Sequence, residues 1–205
     1  MLSLFVLAGI VIGISMGNKG QGKHIKPAHR KAVLPAASLL QSGDLIFRHG
    51  RGFISNAFRT FSMKDKKYSH AGIICIEKDG VFVYHAIGGE ENLSNKLKRS
   101  SLSEFCDPGD ISEYGIYRYP LSDSEKSTLS GLAHAYYRAG LEFDLAFDMN
   151  TDNKMYCSEF IYKILGKVKS NKNFLPLSEL NGLKYVAIDN LYMNSACHFV
   201  YSFTY

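Results

Sequence analysis

Residues 70–77 (His-Ala-Gly-Ile-Ile-Cys-Ile-Glu) and 81–87 (Val-Phe-Val-Tyr-His-Ala-Ile) are β-rich runs separated by Lys78-Asp79-Gly80. Both runs are apolar on both faces, so the hairpin they predict has to sit at the centre of a sheet with material packed on each side. This requirement shapes the reading of the remaining chain. Leu45-Ile46-Phe47 follows the turn Ser42-Gly43-Asp44 and reads as a short strand, and Phe53, Ile54, Ala57, Phe58 and Phe61 recur at helical spacing over about 53–62. Ser101 with Glu104 opens a short helix. Gly115–Tyr119 is a further strand, and Ser122 with Glu125 forms a capping box ahead of a helix that ends near Gly140. Cys157, Phe160, Ile161, Ile164 and Leu165 mark another helix, which stops at Gly166, and the tail carries strands near 184–188 and 197–204. Helices and strands mix without a regular βαβ alternation, and the fold class is α+β.

The chain of 205 residues is long enough for one domain, placed at 32–205, to bury a core without disulfides or metals. With 46% hydrophobic residues, 18 Gly and only 5 Pro, composition excludes disorder, collagen-like repeats and a multi-span membrane protein. The net charge of +5 lies in an arm: Lys19, Lys23, Lys26, Arg30 and Lys31 precede the first acidic residue, Asp44, and the rest of the chain is balanced. That argues against a nucleic-acid-binding face. Residues 1–17 are expected to be a signal peptide, with Ser15 and Gly17 as the small residues before the cleavage point, or alternatively an uncleaved anchor. Residues 18–31 read as a basic linker, either a solvated tether or a contact with anionic phospholipid. An exported protein of the periplasm or cell envelope follows from this reading.

Four cysteines, at 75, 106, 157 and 197, contain no C-x-x-C pair, and neither a zinc site nor any other cofactor is expected. Cys106 and Cys197 are candidates for pairing in an oxidising compartment. Cys157 is different because it falls in the first turn of its helix, where unsatisfied N–H groups and the helix dipole favour a thiolate and lower its pKa. The alternative is a core cysteine heading an apolar stripe. A nucleophilic thiol needs an imidazole within reach. Among seven histidines, His24 and His29 lie in the arm, and His49, His134 and His198 read as surface or packing residues. His70 and His85 remain, on adjacent hairpin strands. With a two-residue Asp79-Gly80 loop, Ile74 faces His85 and the histidines stay about 13 Å apart. With a four-residue loop from Glu77 to Gly80, Gly72 faces His85, and His70 becomes its diagonal neighbour on the same face, close enough for the rings to meet. In that register Cys75 points to the other face as a core residue.

Ser42-Gly43-Asp44-Leu45-Ile46-Phe47-Arg48, Ser69-His70-Ala71-Gly72-Ile73, Val83-Tyr84-His85-Ala86, and Phe143-Asp144-x-x-Phe147 with Tyr156-Cys157-Ser158-Glu159-Phe160 resemble the circularly permuted NlpC/P60-like cysteine hydrolases of the YiiX/YaeF type. The resemblance spans about 42–165. It implies a papain-like fold in which the histidine strand precedes the cysteine helix, with Cys157 as nucleophile, His70 as general base and His85 at the orienting position. Relatives of this type more often have glutamate there, and His85 brings the set closer to the His-His-Cys of the lecithin:retinol acyltransferase-like group. The implied chemistry is acyl transfer through a thioester, with the oxyanion at the Cys157 N–H. Tyr156 and Tyr68 neighbour these positions and read as packing residues, Asp144 and Phe147 as shaping the loop before Cys157, and Glu159 as a structural acceptor. The expected substrate is a cell-envelope peptide or related amide, with an acyl lipid as the alternative. A non-catalytic envelope binding module of the same fold is a further reading, and a membrane tether acting through the basic arm is the last.

Overall fold

The structure, a computed structural model, describes residues 31–89 and 92–205. The apolar run 2–17 and all but the last residue of the basic stretch 18–31 lie outside the described residues. Six strands form one antiparallel sheet: β1 (Leu45–Gly50), β2 (His70–Glu77), β3 (Gly80–His85), β4 (Lys98–Ser101), β5 (Ile111–Arg118) and β8 (His198–Thr204), in the order β4-β3-β2-β1-β5-β8. β2 and β1 occupy the middle, and β3 lies one place from the edge. The expected strand at Gly115–Tyr119 begins earlier, at Ile111, and is held between β1 and β8.

The helices are α1 (Phe53–Arg59), α2 (Leu102–Phe105), α3 (Asp123–Ala139), α4 (Cys157–Val168) and α5 (Ile188–Tyr192). Alternation along the central strands divides the core in two. Leu45, Phe47, Ala71, Ile73, Cys75 and Tyr84 face one side and pack with Leu129 and Ala133 of α3 and Phe160, Ile161, Ile164 and Leu165 of α4. Ile46, Ile74 and Val83 face the other side, with Ile116 and Tyr114 of β5 and with Leu102, Phe105 and Cys106 at α2. The doubly apolar hairpin is thus covered on both faces, as its composition demands.

Two elements differ from the expectation. Residues 184–188 are not one strand: Leu183–Tyr185 is β7, paired in a small separate hairpin with β6 (Ser178–Leu180), and Ile188 already begins α5. Asn181 and Gly182 both carry positive φ, 52° and 80°, the conformation that a tight two-residue hairpin turn requires. The second difference is β4, since Lys98-Arg99-Ser100-Ser101 has no strand-like pattern and takes its conformation from the edge of β3 that it completes. Cys106 and Cys197 do not pair. Both are free, and they belong to the cores on opposite faces of the sheet.

The Ser42–Phe47 block is architectural. The buried Asp44 carboxylate accepts from Arg118 Nε at 2.6 Å and Nη2 at 2.8 Å and from the Gln41 N–H, which locks the entry of β1 to the end of β5. Such a paired, multiply bonded carboxylate is how a charge tolerates burial.

Candidate active site

His70 is the first residue of β2, His85 the last of β3 and Cys157 the first of α4, so that three separate elements begin or end at one end of the sheet. Ile73 pairs with Tyr84 and Ile74 with Val83. Carried one step further, this register sets Gly72 opposite His85 and makes His70 its diagonal neighbour. It is the register in which the rings meet: His70 Nε2 and His85 Nδ1 are 2.9 Å apart, with the rings edge to face at 5.1 Å between centroids. Gly72 is required here, because a Cβ at that position would come within 2.4 Å of Val83 Cγ1 and 3.2 Å of His85 Cβ.

Both imidazoles are buried, and Phe105 packs against each, at 5.8 Å from His70 and 5.1 Å from His85. Burial holds both histidines well below the ordinary imidazole pKa, and the nearby cations of Arg48 and Lys98 push in the same direction. Arg48 lines the same cleft and donates to the Phe105 carbonyl, with its guanidinium 4.7 Å from the Phe105 ring centre. With Nε2 engaged by His85, the other ring nitrogen of His70, Nδ1, is the one left for the cleft.

The Cys157 sulfur sits at the opening of α4. Tyr156 at the N-cap is extended (φ −84°, ψ 170°) and its side chain makes no cap, while Glu159 Oε2 accepts the Tyr156 N–H. The backbone groups of Ala71, Ser158 and Cys157 itself act on the sulfur in the sense that favours a thiolate. Burial outweighs them and pushes the thiol up to about 11. The shift thus runs opposite to the expectation of a lowered Cys157 pKa: desolvation in an apolar cleft exceeds what the neighbouring backbone groups and the Ser158 side chain return. Both shifts, the thiol up and the imidazole down, favour the uncharged forms of Cys157 and His70.

Cys157 and His70 open into one cleft. Its walls are largely apolar, with Phe58, Phe61, Phe143, Phe147, Leu183 and Val186 among the lining residues. Ser158 Oγ donates to the Val186 carbonyl at 2.7 Å, and Tyr156 Oη accepts the Val186 N–H at 2.9 Å, so the start of α4 is pinned to that wall. Tyr156 and Ser158 also line the cleft. Tyr68 lies elsewhere, in a buried aromatic group with Phe47, Tyr117 and Tyr192. Asp144 accepts the N–H groups of Ala146 and Asp148 and fixes the loop that carries Phe147, whose φ of 54° turns its ring onto Tyr156 at 5.0 Å. Glu159 is fully buried and pairs with Lys163 at 2.9 Å, the structural role expected of it. His49 binds Asn56 and His134 faces Glu77, both apart from the cleft. One residue that carries no signal in the sequence joins the group: Ser100 of β4, with Oγ 3.1 Å from His85 Nε2.

A thiol at the opening of a helix packed on an antiparallel sheet, with a histidine earlier in the chain on the adjoining strand, defines a papain-like arrangement in permuted order. A family model described as "Permuted papain-like amidase enzyme, YaeF/YiiX, C92 family" matches residues 39–179, and the chain belongs to this family of cysteine amidases. Among solved structures the chain is similar to metalloprotein yiiX from Escherichia coli O157:H7, at 19% identity with a TM-score of 0.64, over 80% of this chain and 98% of that one. That likeness shows the same fold. No curated protein matches the chain.

Proposed function

We propose that the chain is a thiol-dependent amide hydrolase in which Cys157 is the nucleophile, His70 the general base and His85 the group that orients His70. The observation that carries this is the Cys157–His70 pair opening into an apolar cleft, with His70 Nε2 held by His85 at 2.9 Å. Cys157 Sγ attacks the substrate carbonyl carbon as its proton passes to His70 Nδ1, and the negative oxygen is received at the Cys157 N–H. His70 then protonates the leaving nitrogen, the C–N bond breaks and a thioester remains. Water attacks the thioester with its proton going to His70. Collapse of this second intermediate releases the acid, and the proton returns to sulfur. Because the uncharged forms of thiol and imidazole are favoured, proton transfer belongs to the attack itself and no standing ion pair is needed.

The substrate class follows the cleft. Its aromatic and aliphatic walls suit an apolar acyl part, which is compatible with a peptide amide of the cell envelope and gives specific weight to the second reading, an acyl lipid. The uncharged run 2–17 supports export to the envelope, with residues 18–31 as a linker able to contact anionic lipid. The yiiX protein is described as a metalloprotein. Here, among the described residues, no three histidine, cysteine or carboxylate side chains gather to hold a metal, and the mutual hydrogen bond occupies one nitrogen of each imidazole.

The test uses fluorogenic amides of graded acyl length and a murein-type stem peptide, with intact-mass detection of the thioester. Turnover of either substrate with an acyl mass on wild type, both absent in Cys157→Ala, supports the hydrolase. Preference for the longer acyl chains selects the lipid reading, and preference for the peptide selects the first. If folded wild type forms no thioester with any of them, the hydrolase reading fails and a binding module of this fold replaces it.

A further inference from the structure

The orienting position in this chain is a neutral imidazole, and an imidazole raises a question that a carboxylate would not. His85 has two nitrogens, and which one carries the proton decides what His70 can do. If Nδ1 of His85 is protonated, it donates to His70 Nε2, and the proton of His70 then sits on Nδ1, the nitrogen left for the cleft. In that state His70 cannot accept a proton at that atom. If instead Nε2 of His85 is protonated, its Nδ1 accepts from His70 Nε2–H and leaves His70 Nδ1 bare. Only the second arrangement is a base.

The second arrangement needs a partner for the His85 Nε2–H, since His85 is 2% exposed and an unsatisfied N–H there is costly. Ser100 Oγ stands 3.1 Å from that nitrogen and is itself buried. The register explains its position: Val83 pairs with Ser100 and His85 with Lys98, so Ser100 is the diagonal same-face neighbour of His85, as His70 is on the other side. One line of polar side chains thus crosses three strands, from β2 through β3 to β4, between the cleft and the sheet edge. Phe105 packs against both rings of this line.

We infer that Ser100 is a positioning residue for the thiol chemistry, its hydroxyl oxygen accepting the His85 Nε2–H and thereby holding His70 in the tautomer whose Nδ1 is free to take the Cys157 proton. Ser100 acts only through the histidines and touches neither substrate nor sulfur. Arg48 and Lys98, the cations felt by both rings, disfavour an imidazolium, so the fixed neutral tautomer is the form on which the base depends. The inference rests on the hydrolase reading of Cys157 and His70.

The experiment combines histidine tautomer assignment by 15N NMR on the full chain with the rate at which Cys157 is alkylated by chloroacetamide, in wild type, Ser100→Ala, Ser100→Thr and His70→Ala. Wild type is expected to show both His85 and His70 protonated on Nε2. Ser100→Ala is expected to lose that single tautomer at His85 and to slow Cys157 alkylation near neutral pH by about tenfold, the scale of one buried hydrogen bond. Its pH profile shifts toward that of the free thiol, and Ser100→Thr, which keeps the hydroxyl, restores both signals. A His85 protonated on Nδ1 in wild type overturns the inference even if no variant folds. So does a Ser100→Ala protein with unchanged tautomers and rate and only a lower melting temperature. If His70→Ala also leaves the rate unchanged, it is the hydrolase reading itself that fails. If His70→Ala slows alkylation and Ser100→Ala does not, only the role of Ser100 is lost.

Discussion

The helices α3 and α4 pack against each other on the same face of the sheet, yet they are built on opposite plans. The 17 residues of α3 begin with a complete capping box, Ser122 accepting the Glu125 N–H and Glu125 accepting the Ser122 N–H, and end at Gly140 in the left-handed conformation with φ 68°. It buries Leu129 and Ala133 and shows solvent most of its remaining surface. The 12 residues of α4 have no side-chain cap from Tyr156, and the helix is buried continuously from Ser158 to Ile161 and again at Ile164, Leu165 and Gly166. One helix draws stability from its ends and the other from its flank. The difference matters chemically, because a first turn closed by a serine cap has its N–H groups occupied, whereas the open turn of α4 keeps amides directed at Cys157. Stability and reactivity are thereby separated along a single helix.

The largest expected effect tests that separation. Cys157→Ala should lower amide hydrolysis by at least about 10⁴-fold, the scale of losing a nucleophile, while shifting the unfolding midpoint little. Phe160→Ala, one turn further along the same helix and fully buried, should cost about 3–5 kcal/mol in denaturant unfolding through the cavity it leaves. If the two variants exchange these signatures, the open end and the buried flank are not distinct.

The pH dependence of stability sharpens the comparison. His70 and His85 have depressed values in the fold, so below about 6.5 the unfolded chain binds more protons and stability falls with falling pH, by up to about 1.4 kcal/mol per pH unit for each histidine. Glu159 of α4 acts in the opposite sense. Its carboxyl is pushed up to about 7 by burial, so its contribution is complete in acid and is lost as pH rises through that value. Replacing Glu159 with Gln should therefore steepen the acid decline, as measured by urea unfolding at a series of pH values; an unchanged slope would mean that Glu159 titrates alike in both states. The smallest effect belongs to α3. Ser122→Ala should cost about 1 kcal/mol and leave Cys157 chemistry untouched, and a loss of activity in that folded variant would mean that the two helices are coupled.

Much of this arrangement is legible in the sequence, and the exceptions have physical causes. The capping boxes at Ser101 and Ser122 and the stripe of α4 can be read because they are local patterns of sequence spacing. The doubly apolar runs announce a covered sheet, but two loop lengths are open for the hairpin, and the choice between contact and no contact for His70 and His85 rests on pairing that spacing alone does not select. Ser100 is out of reach because Lys98–Ser101 becomes a strand only by adding to β3, against its own weak propensity. The cleft walls come from segments as distant as Phe58, Phe143 and Leu183, and only tertiary packing assembles them. The sign of the Cys157 shift escapes the sequence for the same reason. A helix N-terminus is visible there, but the desolvation that outweighs it depends on what the fold lays over the sulfur.

The central claim is that Cys157 becomes nucleophilic by giving its proton to His70 during attack. It is tested most directly by alkylating each cysteine with iodoacetamide from about pH 5 to about pH 10 in wild type and His70→Ala, with rates mapped by peptide mass spectrometry. The account predicts that Cys157 reacts fastest near neutrality in wild type. In His70→Ala it should lose this advantage and react only toward its displaced pKa of about 11. Equal Cys157 profiles in the two proteins would contradict the claim.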